Sequence, residues 1–272
     1  MSVTTTTLKR GTALITGAST GIGAIYADRL ARRGYDLIIV ARSRGRLDSL
    51  AKQLTTETGR AVEVVVADLS DQADLQRVEK ILREDASITT LVNNAGIGAA
   101  APLLASDVKK MDEMIALNVT ALTRLTYAAA PALVKRGGGA IINISSIAGV
   151  APEILNGVYG GSKAFVLALS VSLNKELAEH NVRVQAVLPG ATATEFWDVA
   201  GVSNLPSDIV MPAGAMVDAA LAGFDRGELV TIPSLPDVAD WEAYEGARLK
   251  LMPNLSRNVP ASRYTSNIAG VA

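Results

Sequence analysis

Cysteine is absent from the 272 residues, which removes disulfides, thiol nucleophiles and thiolate-held metals together. Histidine occurs once, too rarely for histidine-based zinc chemistry. That residue, His180, ends a helical pattern beside Glu179 and Asn181, where a solvated C-terminal histidine is expected. A basic surplus is also missing: the formal charge is −1, so no electrostatic footprint points to nucleic acid. No uninterrupted apolar run approaches the roughly 18 residues that would cross a bilayer. The first ten residues, M-S-V-T-T-T-T-L-K-R, lack the apolar core of a signal peptide and read as a loose polar tail. The expectation is a soluble, cytoplasmic protein with no membrane contact and no metal.

Apolar residues, by contrast, make up 49% of the chain, enough for a large core. They recur as β-type runs at 12–16, 36–40, 62–67, 90–92, 140–144, 182–188 and 229–232, without the clean alternation of half-exposed strands. Helix-period segments lie between them, at 22–33, 47–56, 75–84, 109–134, 159–179 and 213–225. This alternation predicts an α/β fold, doubly wound, with a parallel sheet of about seven strands flanked by helices. No linker or repeat divides the chain, so residues 1–272 are expected to form a single domain. Residues 195–235 would hold a variable loop region and the last strand, and 253–272 a Pro/Asn/Ser-rich tail.

The first strand runs into Thr16-Gly17-Ala18-Ser19-Thr20-Gly21-Ile22-Gly23 and then into a helix. There, glycines serve a tight turn, close approach of backbone to a pyrophosphate, and helix–strand packing, while the helix N-terminus offers free N–H groups to phosphate. The third and fourth predicted strands end at Asp68-Leu69 and Asn93-Asn94-Ala95-Gly96, on the sheet edge where open α/β folds bind ligands. Asn93 fits a structural role and a cofactor contact equally well. Asn118, amid apolar neighbours, needs a hydrogen-bond partner and reads by itself as a satisfied core amide.

From Ile141 the chain reads I-I-N-I-S-S, then a loop, then a helix carrying Tyr159 and Lys163. Four residues apart, the two share a helix face, with Cβ atoms roughly 5–6 Å apart. An ammonium that near a phenol favours phenolate, and a tuned phenol exchanges a proton with a carbonyl or alcohol oxygen. Ser146, at the strand end, is placed to hydrogen-bond the same oxygen.

Together these pieces resemble the short-chain dehydrogenase/reductase family, over Thr12 to about Gly190. The resemblance rests on T-G-x-x-x-G-x-G at 16–23, N-N-A-G at 93–96, Asn118, Ser146 and Y-x-x-x-K at 159–163, with a Ser–Tyr interval of 159 − 146 = 13. Pro189-Gly190-Ala191-Thr192-Ala193-Thr194 looks like the family's P-G-x-x-x-T segment. The resemblance implies a Rossmann-type oxidoreductase passing hydride between a nicotinamide cofactor and a small carbonyl or alcohol substrate. By the same implication Tyr159 is the general acid/base, Lys163 lowers its pKa and binds the nicotinamide ribose, Ser146 orients the substrate oxygen, and Asn118 holds a relay water. Cofactor contacts would come from Gly17, Ser19, Thr20, Gly21, Ile22 and Gly23, from Asp68 and Leu69 on adenine, and from Asn94, Ala95 and Gly96. Tyr159, Lys163, Pro189, Gly190, Thr192 and Thr194 complete that set, with Thr194 on the carboxamide. Gly160 and Gly161 depart from the family pattern; they admit either substrate or a close neighbour.

At the end of the second strand, where NAD-binding sites usually place an acid, the chain has Ala41, followed by Arg42, Ser43 and Arg44. Without a carboxylate there, and with Arg42 and Ser43 as donors to a 2′-phosphate, NADP(H) is expected over NAD(H). Ser43 also fits the N-cap of the next helix, and the arginines also fit a solvated loop. Substrate contacts are expected from 152–156 and 195–212. Ile154, Leu155, Phe196 and Trp197 imply either an apolar pocket or packing on one another. The apolar helices at 109–134 and 164–169 call for a partner, hence a homodimer or homotetramer. A regulator that binds the cofactor without turnover is the rival reading; the set Asn118, Ser146, Tyr159 and Lys163 speaks against it.

Overall fold

The computed structural model describes residues 10–202 and 204–265. The expected N-terminal tail, Arg10 apart, and the last residues of the C-terminal tail lie outside the described residues. The chain forms two compact units, Met1–Ser234 and Leu235–Ala272.

In the first unit, β1 (Thr12–Thr16), α1 (Gly21–Arg32), β2 (Asp36–Ala41), α2 (Arg44–Thr58), β3 (Val62–Val66), α3 (Gln72–Glu84) and β4 (Ile88–Asn93) form one half of the fold. The other half contains α4 (Val108–Ile115), α5 (Leu122–Lys135), β5 (Gly139–Ile144), α6 (Gly157–Leu177) and β6 (Val182–Val187). After these come β7 (Thr192–Ala193), α7 (Phe196–Ala200), β8 (Met211–Pro212), α8 (Ala213–Arg226) and β9 (Val230–Thr231). Seven strands make a parallel sheet in the order β3-β2-β1-β4-β5-β6-β9, a Rossmann-type arrangement. β1 and β5 are buried throughout, which is why their sequences run apolar without alternation. One core, with Ile15, Tyr26, Leu30 and Ile142, lies on one face; another, with Leu14, Val78, Leu125 and Ile141, lies on the other.

Strand order reverses between β1 and β4, and the crevice beyond the carboxyl ends at such a switch point is where this architecture binds ligands. The glycine loop follows β1 and Asn94–Gly96 follow β4, so the two segments flank that crevice.

Three features depart from the sequence expectation. The helix expected over 109–134 is broken by a π-helical stretch, Ala116–Ala121, between α4 and α5. Its cause is Asn118, whose amide leaves the helix to pair with both backbone groups of Ile97, accepting from its N–H (3.0 Å) and donating to its C=O (2.9 Å). Secondly, the loop expected after β6 contains α7 and the β7–β8 pair, registered Thr192↔Met211. Thirdly, the last strand holds only two residues, paired Ala186↔Val230 and Val187↔Thr231. Asp237 caps α9 (Val238–Leu251) in the second unit, where Trp241 and Tyr244 stack at 5.2 Å.

Candidate active site

The glycine loop is shaped by contacts that exclude side chains. Gly17 has φ +65°, and a Cβ there would lie 2.8 Å from Asn94 Nδ2. On Gly23 a Cβ would lie 2.3 Å from the carbonyl oxygen of Gly17. Thr16 Oγ1 accepts from the N–H groups of Asn94 and Ala95 (3.0 Å each), and Asn94 Nδ2 donates to the carbonyls of Thr16 (2.9 Å) and Gly17 (3.1 Å). The Asn94 side chain is therefore committed to bracing the loop. Thr20 is the N-cap of α1, yet its side chain makes no capping bond, which leaves the first-turn N–H groups of Gly21, Ile22 and Gly23 facing the crevice for an anion. Thr194 reaches the same loop: its Cγ2 lies 3.1 Å from where a Cβ on Gly21 would sit.

Beside Ser19 an open groove of about 590 Å³ is lined by Ser43, Gly45, Arg46, Ser49, Leu50 and Gln53. Ser43 occupies the N-cap of α2 without a side-chain capping bond, so its hydroxyl is available to a ligand. Arg42 is exposed, and no ion pair to it is found among the described residues. Arg44 pairs with Asp48 (3.7 Å), and Arg46, which sequence reasoning missed, reaches Glu195 at 2.8 Å. Hydroxyls, guanidinium groups and free helix N–H groups are the donor set a phosphorylated dinucleotide needs, so the residues present fit that group. Half-buried Asp68 accepts from Ser70 N–H (2.9 Å) and donates its own N–H to Asp74 (2.8 Å), while Leu69 is buried in the core.

On the other side of the crevice β5 ends at the two serines. Ser145 Oγ donates to the carbonyl of Lys163 (2.7 Å) and is structural. Ser146 lies beside the Tyr159 hydroxyl and acts to lower its pKa; it accepts from Ala148 N–H at 3.1 Å and lies 3.5 Å from the carbonyl of Pro189. Gly96 brings the β4 segment to the same place, since a Cβ on it would lie 3.1 Å from Asn118 Oδ1 and 3.6 Å from Lys163 Nζ. Asn118 Nδ2 also donates to Ser162 Oγ (3.1 Å), which in turn donates to the carbonyl of Tyr159 (2.8 Å). Asn118, Ser146, Tyr159, Lys163 and Gly96 thus converge, as do Gly17–Gly23, Ser43 and Thr194 around the groove and loop. Asn93 proves structural: buried, it donates to Thr126 (3.1 Å) and Asn143 (2.9 Å). Gly160 is also accounted for, because a Cβ on it would lie 2.8 Å from the Cα of Pro152; Gly161 faces open space.

The electrostatics differ from the expectation. Burial raises the Tyr159 phenol above its usual value, and Ser146 only partly offsets this. Lys163 Nζ lies over the Tyr159 ring, 5.8 Å from its centroid, and donates to the carbonyl of Ile144 at 2.9 Å. Burial lowers Lys163 itself from 10.5 to about 8.

That lysine gives a stability prediction. Below pH 8 both folded and unfolded chains hold its proton; between about 8 and 10.5 the unfolded chain binds it and the folded chain does not, so this group adds stability as pH rises through that window. From pH 7 to 9.5 the gain is on the order of 2 kcal/mol. Urea melts should show it as a difference between the wild type and Lys163→Met, whose stability lacks this rise. Parallel pH profiles for the two proteins would show that Lys163 keeps its charge in the fold.

The short chain dehydrogenase family model matches residues 11–201, and the chain belongs to that family. A short-chain dehydrogenase from Sphingobium yanoikuyae, solved in complex with NADPH, is 52% identical with a TM-score of 0.90, covering 93% of this chain and all of that one. The bulky-bulky ketone specific alcohol dehydrogenase from Comamonas testosteroni is 47% identical with a TM-score of 0.87, covering 95% of this chain and 99% of that one. Among curated proteins, the very-long-chain 3-oxoacyl-CoA reductase of Anas platyrhynchos is 37% identical over 188 residues, 68% of this chain. The chain spans only 60% of the length of that relative.

Proposed function

We propose that the protein is an NADP(H)-dependent carbonyl reductase or alcohol dehydrogenase in which Tyr159 is the general acid/base. The observation that carries this reading is buried Tyr159, with Ser146 beside its hydroxyl, at a site that Gly96 shares with Lys163 and Asn118. The cofactor supplies hydride chemistry when bound. The chain's own residues do the rest. The glycine loop and the N-terminus of α1 hold the pyrophosphate, and the groove beside Ser43 takes the 2′-phosphate. Ser146 aligns the substrate oxygen against Tyr159, and Lys163 binds the nicotinamide ribose. Asn118 holds a water that passes protons towards Lys163.

Around Tyr159 the surface is apolar, with Met111, Met114, Ile97, Ala99, Leu155 and Phe196 packed together, so the substrate is an apolar ketone or aldehyde. The name of the Comamonas relative is in keeping with this. The test is NADPH oxidation, followed by absorbance, with aryl ketones, aliphatic aldehydes and oxo-acyl thioesters. Turnover of an apolar ketone is expected, and no oxidation with any of them would overturn the reading.

The same reading includes self-assembly and a cytoplasmic location. On α6 and along the neighbouring helices, Phe165 (38%), Ile115 (43%) and Tyr127 (69%) leave apolar surface exposed, in keeping with a homodimer or homotetramer. Light scattering at micromolar concentration is expected to give a multiple of the chain mass; a monomer would rule assembly out. Among the described residues no helix is long and apolar enough to cross a membrane, and recovery of the protein in a non-cytoplasmic fraction would refute the location.

A further inference from the structure

Among the side chains packed around Tyr159, Phe196 makes the ring-to-ring contact. Tyr159 is only 5% exposed, and the Phe196 ring lies across it, the two ring centroids 5.8 Å apart and the planes tilted by 48°. The other edge of Phe196 rests on Gly98. A Cβ built there would lie 2.2 Å from Phe196 Cζ and 2.8 Å from Cε2, so no side chain fits under the ring. The backbone at Gly98 is not left-handed; space alone requires glycine.

The fully buried or nearly buried neighbours of Tyr159, Met111, Met114 and Ala148, are better anchored. Met111 and Met114 belong to α4, which continues through the π stretch into α5, and Ala148 is fully buried. Phe196 begins α7, a five-residue helix without a side-chain N-cap, too short to hold itself. Its backbone is held from outside at both ends: Phe196 N–H donates to Thr194 Oγ1 (3.4 Å), Trp197 Nε1 to the carbonyl of Thr192 (2.8 Å), and Ala100 N–H to the carbonyl of Ala200 (3.1 Å). The half-buried Phe196 ring, held only by ring and apolar contacts, can therefore turn about its own side-chain bonds while the backbone stays in place.

We propose that Phe196 is the gate of this site: seated on Gly98 it covers Tyr159, and the room it leaves sets the bulk of the carbonyl substituent admitted. The proposal rests on the reading of Tyr159 as the acid/base. It also assigns Gly98 a positioning role, as the seat that decides where the gate closes.

The experiment compares kcat/KM for benzophenone and acetophenone, with NADPH, in the wild type, Phe196→Ala, Gly98→Ala and the double variant. Removing the ring should raise the benzophenone-to-acetophenone ratio at least about tenfold, since even one methylene in a pocket is worth about that. Gly98→Ala should also move the ratio, because its Cβ evicts the ring. In the double variant the Gly98 change should be silent, giving the Phe196→Ala ratio within about twofold. A second readout needs no turnover. The Trp197 ring meets Phe196 edge-on at 5.3 Å, so Gly98→Ala should shift tryptophan emission in the wild-type background and not in Phe196→Ala. An unchanged ratio in Phe196→Ala, or an emission shift from Gly98→Ala that persists without the ring, overturns the gate. Unimpaired reduction by Tyr159→Phe overturns the acid/base reading instead, and leaves the emission result to judge the seat on its own.

Discussion

Phenylalanine in place of Tyr159 is expected to lower kcat for ketone reduction at least about a hundredfold, the low end of what a positioned acid contributes, with NADPH binding retained. The substitution keeps the ring, and with it the packing against Met111, Met114 and Phe196; only the hydroxyl beside Ser146 disappears. A phenol raised by burial is fully protonated at neutral pH, the state needed to protonate a carbonyl oxygen. The same shift handicaps the reverse reaction, in which the hydroxyl must first lose its proton. Alcohol oxidation should therefore climb with pH across the range where reduction is flat or falling. Steady-state kinetics in both directions, with cofactor binding by fluorescence titration, check this. A Phe variant reducing a good ketone near the wild-type rate would mean that the proton comes from elsewhere.

Much of this site was legible before any coordinates, for a physical reason: strands buried on both faces write themselves as apolar runs, and the run at 12–16 coincides end to end with β1. The ends of those strands then place the glycine loop, Asn94–Gly96 and Ser146 on one edge. What stayed hidden depends on contacts between distant residues. The π stretch exists because Asn118 bonds Ile97, 21 positions away, and helical periodicity cannot register that. A spacing of four correctly puts Tyr159 and Lys163 on one helix, but it does not show that the ammonium is drawn to the carbonyl of Ile144. Arg46 reads as an ordinary position in the first turn of a surface helix until the groove beside it is seen. Gly98 looks like a loop glycine until Phe196, 98 positions on, is found resting on it.

Cofactor choice is the second large effect, expected to be set at the end of β2. The wild type should prefer NADPH over NADH at least about tenfold in kcat/KM, equivalent to about 1.4 kcal/mol. Ala41 places no carboxylate where a ribose 2′-phosphate would come, so the repulsion that NAD-selective sites use is missing. Arg42, exposed and without an ion-pair partner among the described residues, gives up no existing bond when its guanidinium forks onto a phosphate. Ser43 adds a hydroxyl that its own helix leaves unused. Arg46 adds a second cation, exposed and shared with Glu195; a surface pair of that kind is worth at most about 1 kcal/mol, so a dianionic phosphate competes for it easily. Ala41→Asp combined with Arg42→Ala supplies the acceptor for a free 2′-hydroxyl and removes the main phosphate donor. The preference should then reverse, moving the NADPH-to-NADH ratio by roughly a hundredfold or more, about 2.7 kcal/mol. The residual NADPH activity of the double variant should fall further with Arg46→Ala, because that cation lines the groove. Equal kcat/KM for the two cofactors in the wild type would sink the assignment, and a double variant that keeps its NADPH preference would shift the phosphate site from Arg42 to Arg46.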